Sequence, residues 1–334
     1  MRAIVLVGGF GTRLRPLTNH IPKPMLPVGH RPMIARLIDR LARGGVTDVV
    51  LALGFKPEPF AETFPDGRCG DVSLTYAVEP EPLDTGGAIK FAAEVAGIDD
   101  TFIVANGDVI TDLDVGHLLD CHRRHEAEAT LHLIGVEDPS GFGVVAMDAR
   151  ERITDFVEKP APGNEPSNLI NAGTYVFEPS VLGRIPAGER SSIERSTFPT
   201  LAAGGRLFGC ATSDYWIDAG RPELYRAANL DLLGDTRVHD RCEPISPTAD
   251  VDAGAIILNS IVGDGAVVAS GARVVDSVLL PGSSVGPAAT VETSLVMGSV
   301  GEGARVVGSM IGVEGVVGDG SVLTSGAVPA VEAT

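Results

Sequence analysis

The sequence lacks the features that mark several protein classes. Its 334 residues include four cysteines, Cys69, Cys121, Cys210 and Cys242, and no Cys-x-x-Cys pair. This spacing indicates neither a zinc site nor a redox pair and is typical of free thiols in a reducing cytosol. No hydrophobic run approaches the roughly 18 residues of a membrane span, and the short apolar N-terminus leads into glycines rather than a signal cleavage site. We therefore expect a cytoplasmic protein.

An excess of positive charge is also missing. The chain carries 44 acidic and 26 basic residues, for a formal net charge of −18. A diffuse acidic surface disfavours nucleic acid or an anionic membrane as a partner. Any anion-binding pocket must then be locally basic, and Arg2, Arg13, Arg15 and Lys23 are grouped near the N-terminus.

The first two-thirds of the chain alternates strand and helix patterns. Such alternation predicts an α/β fold with a Rossmann-like, mostly parallel sheet whose ligands bind at the carboxyl ends of the strands. Shorter strands further on predict an antiparallel subregion over the site, and residues 222–233 predict a closing helix. The predicted strands are residues 3–7, 48–53, 72–78, 101–105, 131–136, 143–147, 153–157 and 172–177, and the predicted helices begin at Pro32 and span residues 87–96.

The composition changes near Ile245. No aromatic residue follows Tyr225 and no lysine follows Lys159. Aliphatic residues recur at near-hexad spacing, as in VGDGAV at 262–267 and VGEGARV at 300–306. This repeat predicts a parallel β-helix, and its many valines argue against a flexible linker. We expect a catalytic domain at residues 1–233, a linker at 234–244 and a β-helix at 245–330.

A glycine-rich turn follows the first predicted strand, with the sequence GGFGTR at residues 8–13 and PKP at 22–24. Glycines let backbone N–H groups approach an anion, while Arg13 and Lys23 add two cations. The Rossmann and phosphate-loop motifs do not fit, because no Gly-Lys-Ser/Thr follows. We expect no helix directly after the glycines, since Pro16 and Pro22–Pro24 keep the segment extended. The alternative is an ordinary turn with a solvated arginine.

Three other clusters carry side chains suited to chemistry. Residues 79–88 offer backbone donors at a helix start, unless they form a plain start with a threonine cap. Asp108 and Asp218 could share Mg²⁺, although either alone is more often a turn or cap residue. Glu158, Lys159 and Asn171 could bind a sugar phosphate, whereas a Glu-Lys pair is also a common solvated surface pair.

Together these motifs resemble the sugar-1-phosphate nucleotidyltransferases, in particular their mannose-1-phosphate guanylyltransferase branch. They occur in family order over residues 1–233, and the hexad tail resembles the left-handed β-helix that many members carry. The stretch LDTGGAIK at 83–90 is similar to that of heptose-1-phosphate guanylyltransferases and of some uridylyltransferases. The family usually has glycine where Asp84 stands, so the base remains open here.

The resemblance implies a reaction in which a sugar-1-phosphate oxygen attacks the α-phosphorus of a nucleoside triphosphate and pyrophosphate leaves. It implies Mg²⁺ or Mn²⁺ as cofactor, held by Asp108 and Asp218, and GTP as the favoured nucleotide. Arg13, Lys23, Asp108, Lys159 and Asp218 would be catalytic. The nucleotide would contact Val7, Gly8, Gly9, Gly11, Thr12, Arg13, Pro82, Thr85, Gly86 and Gly87, and the sugar phosphate would contact Gly143, Glu158, Lys159, Asn171 and Gly173.

The sequence leaves open other substrates for the same reaction and other classes of function. The same chemistry could use UTP, dTTP or ATP with another sugar or cyclitol phosphate. A regulatory subunit that binds nucleotide-sugars would show eroded motifs, whereas Arg13, Lys23, Asp108 and Asp218 are all present. An acyltransferase tail usually needs a histidine base, which residues 245–330 lack. We expect the tail to drive self-association into a homo-oligomer instead.

Overall fold

A computed structural model describes residues 1–9, 11–54, 57–234 and 240–330. The chain forms two compact units: the first comprises Met1–Gly9 and Ile34–Trp216, and the second comprises Phe10–Met33 and Ile217–Thr334. The boundaries expected from the sequence therefore stay a prediction. Phe10 of the glycine motif and residues 235–239 of the expected linker lie outside the described residues.

A ten-stranded mixed sheet forms the centre of the first unit. Arg2–Leu6 is an interior strand that pairs in parallel with Asp48–Leu53 on one side and Phe102–Asn106 on the other. Its Ala3, Ile4 and Val5 are fully buried, as the continuous apolar run predicts. The strand order is Ile153–Glu158, Gly143–Met147, Leu169–Phe177, Phe102–Asn106, Arg2–Leu6, Asp48–Leu53, Val72–Val78 and Arg68–Cys69, while Ala129–Gly135 pairs with both Leu169–Phe177 and Leu207–Thr212.

The predicted antiparallel strands do pair antiparallel, and they continue the main sheet of the first unit. Leu169–Phe177 pairs directly with Phe102–Asn106, so these strands extend the parallel sheet. Tyr175, Phe177 and Phe198 are buried together beside this junction, with ring centroids 5.1–6.1 Å apart. Their continuous core is the physical reason why the strands join one sheet.

Six helices are found in the described residues: α1 Met33–Arg43, α2 Glu58–Thr63, α3 Asp84–Ala96, α4 Val115–Arg124, α5 Phe198–Ala203 and α6 Pro222–Leu230. The helix α3 begins at Asp84 rather than Gly87, and α6 ends before residue 233. A 3-10 helix at Pro179–Arg184 lies between α4 and α5, and a π-helix at Ile193–Thr197 directly precedes α5. None of the helices in the described part of the chain is long and apolar enough to cross a membrane.

The hexad tail of the second unit is a left-handed β-helix with three parallel five-stranded sheets. Its interior holds stacked aliphatic side chains such as Val262, Val274 and Val306. The strands are Asp250–Val251, Ile256–Leu258, Ile261–Val262, Val267–Val268, Arg273–Val275, Val278–Leu279, Ser284–Val285, Thr290–Glu292, Leu295–Val296, Ser299–Val300, Arg305–Val307, Met310–Ile311, Val316–Val317, Val322–Thr324 and Ala327–Val328.

A ladder of buried serines runs along one corner of this β-helix. Ser260, Ser277, Ser294 and Ser309 each donate a hydroxyl to a carbonyl two residues earlier, over 2.6–2.8 Å. Each hydroxyl also accepts a backbone N–H from the next coil, over 3.0–3.1 Å. Buried backbone N–H groups need hydrogen-bond partners. The serine hydroxyls supply these partners at the corner, where the strands are interrupted.

The end of the glycine motif and the residues that follow it, from Gly11 to Met33, belong to the second unit. This segment is not extended as expected. Single-turn 3-10 helices occupy Thr12–Leu14 and Lys23–Met25, and a short hairpin joins Pro27–Val28 to Arg31–Pro32. Prolines limit a helix to such short turns, since they remove a donor but allow helical φ values at the start. Asn229 of α6 accepts the Gly29 N–H over 2.8 Å and anchors the hairpin.

Candidate active site

The carboxyl edge of the first unit's sheet brings two predicted motifs together. The Val7 N–H donates to the Ala52 carbonyl over 3.1 Å, and the Gly107 N–H donates to the Leu6 carbonyl over 2.8 Å. A Cβ on Gly107 would lie 2.8 Å from Val7 Cγ1, so the turn before Asp108 packs directly against the end of the first strand. The first unit therefore places Asp108 beside Val7 and Gly8.

A bulge in Leu169–Phe177 positions the predicted sugar-binding residues Asn171 and Gly173. The pairing with Ala129–Gly135 shifts register between Asn171 and Tyr175. Gly173 has a φ of 77°, and its N–H donates to Asn171 Oδ1 over 3.0 Å. The Asn171 amide in turn donates to the Tyr175 hydroxyl over 3.0 Å. Bulges often redirect side chains near active sites, and here one fixes the Asn171 amide.

Gly143, Glu158 and Lys159 meet on the neighbouring hairpin. Gly143 pairs with Glu158 across the strands, and Glu158 Oε2 lies 3.0 Å from where a Gly143 Cβ would stand. Lys159 Nζ lies 3.4 Å from Glu158 Oε1 and has a half-exposed side chain. Burial raises the pKa of Glu158 above its usual range, and Glu194 adds to the rise while Lys159 opposes it.

The buried Tyr175 hydroxyl marks the point where the acidic groups of this unit converge. Burial raises the pKa of Tyr175 above its usual range, and the carboxylates of Glu194, Glu158 and Asp108 raise it further. The first unit therefore brings Asp108, Glu158 and Asn171 together and adds Glu194. The sequence reading missed Glu194, because it lies on a π-helix with no local motif around it.

The start of α3 differs from the sequence expectation. Thr85 is not a cap: its hydroxyl donates to Glu194 Oε2 over 2.6 Å and accepts the Ile193 N–H over 3.0 Å. The N–H groups of Gly86 and Gly87 both donate to the Ser191 carbonyl. A Cβ on Gly86 would lie 2.9 Å from that carbonyl oxygen, so this site requires glycine for close packing.

Asp84, where the resemblance implies a glycine, adopts a left-handed backbone with φ 61°. Aspartate tolerates this conformation better than most residues, because its carboxylate bonds nearby backbone groups. Here Asp84 Oδ1 accepts the Thr85 N–H over 2.9 Å, and Oδ2 lies 3.7 Å from Arg190 Nε. The departure from glycine is therefore explained by the backbone.

In the second unit, the loop from Gly11 to Lys23 closes on itself. The Thr18 hydroxyl donates to the Gly11 carbonyl over 2.8 Å. Gly11 has a φ of 56°, and its Cβ position lies 3.3 Å from Lys23 Cβ. Thr12 and Arg13 lie on the 3-10 turn that follows Gly11. The loop therefore carries Arg13 near one of its closed ends and Lys23 at the other.

Arg13, Lys23 and Asp218 converge above Gly220. A Cβ on Gly220 would lie 2.8 Å from Asp218 Oδ1, 2.9 Å from Lys23 Nζ and 3.4 Å from Arg13 Nη2. Lys23 is 7% exposed, and its Nζ donates to Asp218 Oδ1 over 3.3 Å. A guanidinium and an ammonium fixed at one point form a strong anion-binding element.

The β-helix contacts this same loop. A Cβ on Gly312 would lie 2.9 Å from Pro16 Cβ and 3.0 Å from the Pro16 carbonyl oxygen. Nearby, His20 Nε2 lies 3.5 Å from Glu314 Oε1. The tail therefore supports the backbone that links Arg13 to Lys23.

Comparison with known proteins identifies the family of the chain. Residues 2–234 match the nucleotidyl transferase family model, and residues 247–328 match the model of the GlmU-like C-terminal hexapeptide. The mannose-1-phosphate guanylyltransferase of Mycobacterium tuberculosis (strain ATCC 25618 / H37Rv) is 41% identical over 284 residues, which cover 80% of this chain and 76% of that protein. The mannose-1-phosphate guanyltransferase of Yarrowia lipolytica (strain CLIB 122 / E 150) is 39% identical over 265 residues, or 78% of this chain and 72% of that protein.

A solved structure is similar as well. HddC from Yersinia pseudotuberculosis, complexed with GMP-PN, is 29% identical and superimposes with a TM-score of 0.58, over 68% of this chain and 97% of that one. The glycine loop with its two cations, the mixed sheet and these matches lead to one conclusion: the chain belongs to the nucleotidyl transferase family.

Proposed function

We propose that this protein makes a GDP-sugar and pyrophosphate from GTP and a sugar-1-phosphate, with mannose-1-phosphate as the favoured sugar. The convergence of Arg13 and Lys23 above Gly220 carries the proposal, because a triphosphate needs fixed positive charge. The guanylyltransferase names of the relatives from M. tuberculosis and Y. lipolytica support the choice of sugar and base.

In this proposal Arg13 binds the β- and γ-phosphates and stabilises the leaving pyrophosphate. Lys23 neutralises the α-phosphate as its phosphorus accepts the incoming oxygen. Both groups act by position and charge, and neither forms a covalent bond. Burial of Lys23 strengthens its field, since a charge removed from water is less screened.

The family uses a divalent metal ion, and we propose that Mg²⁺ or Mn²⁺ is held by Asp108 and Asp218. Hard carboxylate oxygens are the donors that Mg²⁺ prefers. Asp218 lies beside Lys23 in the structure, so its oxygen is close to the proposed α-phosphate cation. The bound ion would neutralise phosphate charge.

For the sugar phosphate, the proposal uses Gly143, Glu158, Lys159, Asn171 and Gly173. The half-exposed Lys159 ammonium can leave Glu158 for a phosphate, and the freed Glu158 carboxylate can then accept a sugar hydroxyl. Asn171 is held by the Tyr175 hydroxyl and by the Gly173 N–H, which leaves its position fixed before substrate arrives. Fixed polar groups favour one orientation of the sugar.

In the proposal, backbone groups near Val7-Gly8 and Pro82 to Gly87 read the base. The nucleotide as a whole contacts Val7, Gly8, Gly9, Gly11, Thr12, Arg13, Pro82, Thr85, Gly86 and Gly87. Open space surrounds the Cβ positions of Gly8 and Gly9, as a site for a ligand requires. The N–H groups of Gly86 and Gly87 donate to the Ser191 carbonyl. This stretch would therefore contact the base by packing against it, and not through those two N–H groups. The alternative substrates are UTP, dTTP or ATP with another sugar or cyclitol phosphate.

Pyrophosphate release across five nucleoside triphosphates and a panel of sugar-1-phosphates tests the function. We expect GTP with mannose-1-phosphate to turn over fastest, and a chelator to abolish the reaction.

Arg13→Ala and Lys23→Ala should each lower kcat by ~10² or more, the usual effect of removing a charge-stabilising donor. Preference for another nucleotide would contradict the choice of base, and near-normal turnover in both variants would contradict the roles of Arg13 and Lys23.

Gly220→Ala should lower turnover without removing any charged group. Its methyl group would overlap Asp218 Oδ1 and Lys23 Nζ and displace them, and small misplacements at a reactive centre cost up to ~10² in rate. Gly141→Ala is the matched control, because open space surrounds its Cβ position. Equal kcat values for the two variants would show that the geometry above Gly220 does not matter.

Gly312→Ala tests the support that the β-helix gives to the catalytic loop. The added methyl group would press on Pro16 and should lower kcat several-fold, with unchanged sheet content in circular dichroism. Gly318→Ala lies in the same β-helix and meets its nearest atom, Ser321 Oγ, at 3.4 Å, so it should retain activity. A Gly312→Ala enzyme as active as Gly318→Ala would argue against mechanical coupling from tail to loop.

We further propose that the β-helix assembles the protein into a homo-oligomer, with neither nucleic acid nor membrane as a partner. Exposed aliphatic side chains on the coils support this, among them Val316 at 67% and Val322 at 72% exposure. Removal of such surface from water favours association.

A double variant, Val316→Lys with Val322→Lys, should reduce the mass measured by light scattering towards the 34.6 kDa of one chain. Val95→Lys changes a valine on α3 that is 49% exposed and should leave the mass as it is. An unchanged oligomer in the double variant, or a wild-type monomer, would reject this role for the tail.

A further inference from the structure

The π-helix Ile193–Thr197 is a segment of the first unit that the proposed chemistry leaves unused. It packs against α3, whose start is proposed to contact the nucleotide. It also packs against the strand Ile153–Glu158, whose last residue is proposed to bind the sugar. π-helices are rare and are found frequently at functional sites. This segment therefore joins the elements that carry both proposed substrate sites.

On the nucleotide side, Glu194 of this π-helix is bonded to the start of α3. The Thr85 hydroxyl donates to Glu194 Oε2 over 2.6 Å and accepts the Ile193 N–H over 3.0 Å. The Ser192 hydroxyl donates to the same carboxylate oxygen over 2.6 Å. Hydrogen bonds to an ionised carboxylate are about twice as strong as those between neutral groups. Glu194 therefore fixes the position of Thr85 relative to the π-helix.

Backbone hydrogen bonds reinforce this connection. The Ser191 N–H donates to the Leu83 carbonyl over 2.9 Å. In return, the N–H groups of Gly86 and Gly87 donate to the Ser191 carbonyl over 2.7 Å and 3.1 Å. The turn that precedes the π-helix and the start of α3 thus hold each other through bonds in both directions, and a displacement of one displaces the other.

On the sugar side, the connection runs through Phe198, which directly follows the π-helix. Its ring centroid lies 5.2 Å from that of Phe156 and 5.1 Å from that of Tyr175. Phe156 is two residues before Glu158 on the same strand, and the Tyr175 hydroxyl accepts the Asn171 amide over 3.0 Å. Closely packed side chains transmit displacements. The position of the π-helix therefore affects both polar side chains proposed to bind the sugar.

We propose that Glu194 is a positioning residue that couples binding of the nucleotide to binding of the sugar-1-phosphate, an inference that rests on the proposed function. A nucleotide against the start of α3 fixes Thr85, and through Glu194 it fixes the π-helix. The ring of Phe198 then holds the sugar site in one arrangement, so the second ligand pays less for ordering it. Such coupling is reciprocal, and each ligand raises the affinity for the other by the same factor.

Isothermal titration calorimetry of the full-length protein with Mg²⁺ measures this coupling. The nucleotide probe is the α,β-methylene analogue of GTP, which cannot release pyrophosphate. Mannose-1-phosphate is titrated into the protein alone and into the protein saturated with the analogue. We expect the analogue to raise the affinity for mannose-1-phosphate at least about fivefold, and the reverse titration to give the same factor.

Glu194→Ala removes the carboxylate that holds Thr85 and should abolish this increase in affinity. Glu194→Gln keeps an oxygen that can accept both hydroxyl groups, so it should retain most of the increase. Glu94→Ala is the matched control, because Glu94 is an exposed glutamate on α3. Circular dichroism and Tm establish that each variant is folded.

Thr85→Val tests the same link from the other side and does not depend on whether Glu194→Ala folds. It removes the hydroxyl and keeps the shape of the side chain, so it should also abolish the increase. Groups that act through one contact have non-additive effects. The double variant Thr85→Val with Glu194→Ala should therefore lose no more coupling than either single variant.

The possible outcomes separate this role from the proposed function. A wild-type protein that binds neither ligand contradicts the proposed function, and the coupling with it. A wild-type protein that binds both ligands independently, or folded Glu194→Ala and Thr85→Val variants that keep the full increase, overturns the role of Glu194 and leaves the proposed function intact. Loss of the increase in these two variants, with its retention in Glu194→Gln and Glu94→Ala, supports the role.

Discussion

Burial of the Lys23 ammonium is the constraint on which the proposed active site depends. An ammonium that is 7% exposed is costly unless a partner compensates its charge, and Asp218 supplies that partner at 3.3 Å. The pair in turn leaves no room for a side chain at residue 220. Thr18 closes the loop from the other end through its bond to Gly11. A charge held this firmly can face a phosphate without reorganising, which is the condition for electrostatic catalysis.

The parts of the fold that sequence predicts best are those governed by continuous burial. Asp48–Leu53, Val72–Val78 and Gly143–Met147 have the bounds that their apolar runs indicate. The helix α4 was missed because its apolar positions are interspersed with His117, Asp120 and Arg123, and its stability comes from packing on the sheet. The prolines at 16, 22 and 24 do not predict the 3-10 turn at Thr12–Leu14, because proline disfavours a long helix but still allows a single helical turn.

The candidate site divides in the same way. Recognisable sequence motifs contain Arg13, Lys23, Asp108 and Asp218. Glu194, in contrast, is linked to the site by its contact with Thr85, which is distant in sequence. The sequence predicts that Gly86 and Gly87 offer backbone donors at a helix start, yet both N–H groups bond the Ser191 carbonyl and the two glycines allow close packing there. Space is scarce at these two glycines, whereas open space surrounds the Cβ positions of Gly8 and Gly9, and the sequence alone does not distinguish the two cases.

The two lysines proposed to bind phosphate differ in their exposure to solvent. Lys23 is buried and paired, so its charge is fixed before the nucleotide binds. Lys159 has a side chain that is 62% exposed and lies 3.4 Å from Glu158. Only the Lys159 end of this pair is exposed, since the Glu158 side chain is 18% exposed, so the ammonium can contact a phosphate from solvent. Because burial raises the pKa of Glu158, loss of its cation would favour the protonated form unless a hydroxyl donor replaced it. In the proposed function, binding of the phosphate to Lys159 is therefore coupled to binding of a sugar hydroxyl to Glu158, and a sugar-1-phosphate supplies both groups in one molecule.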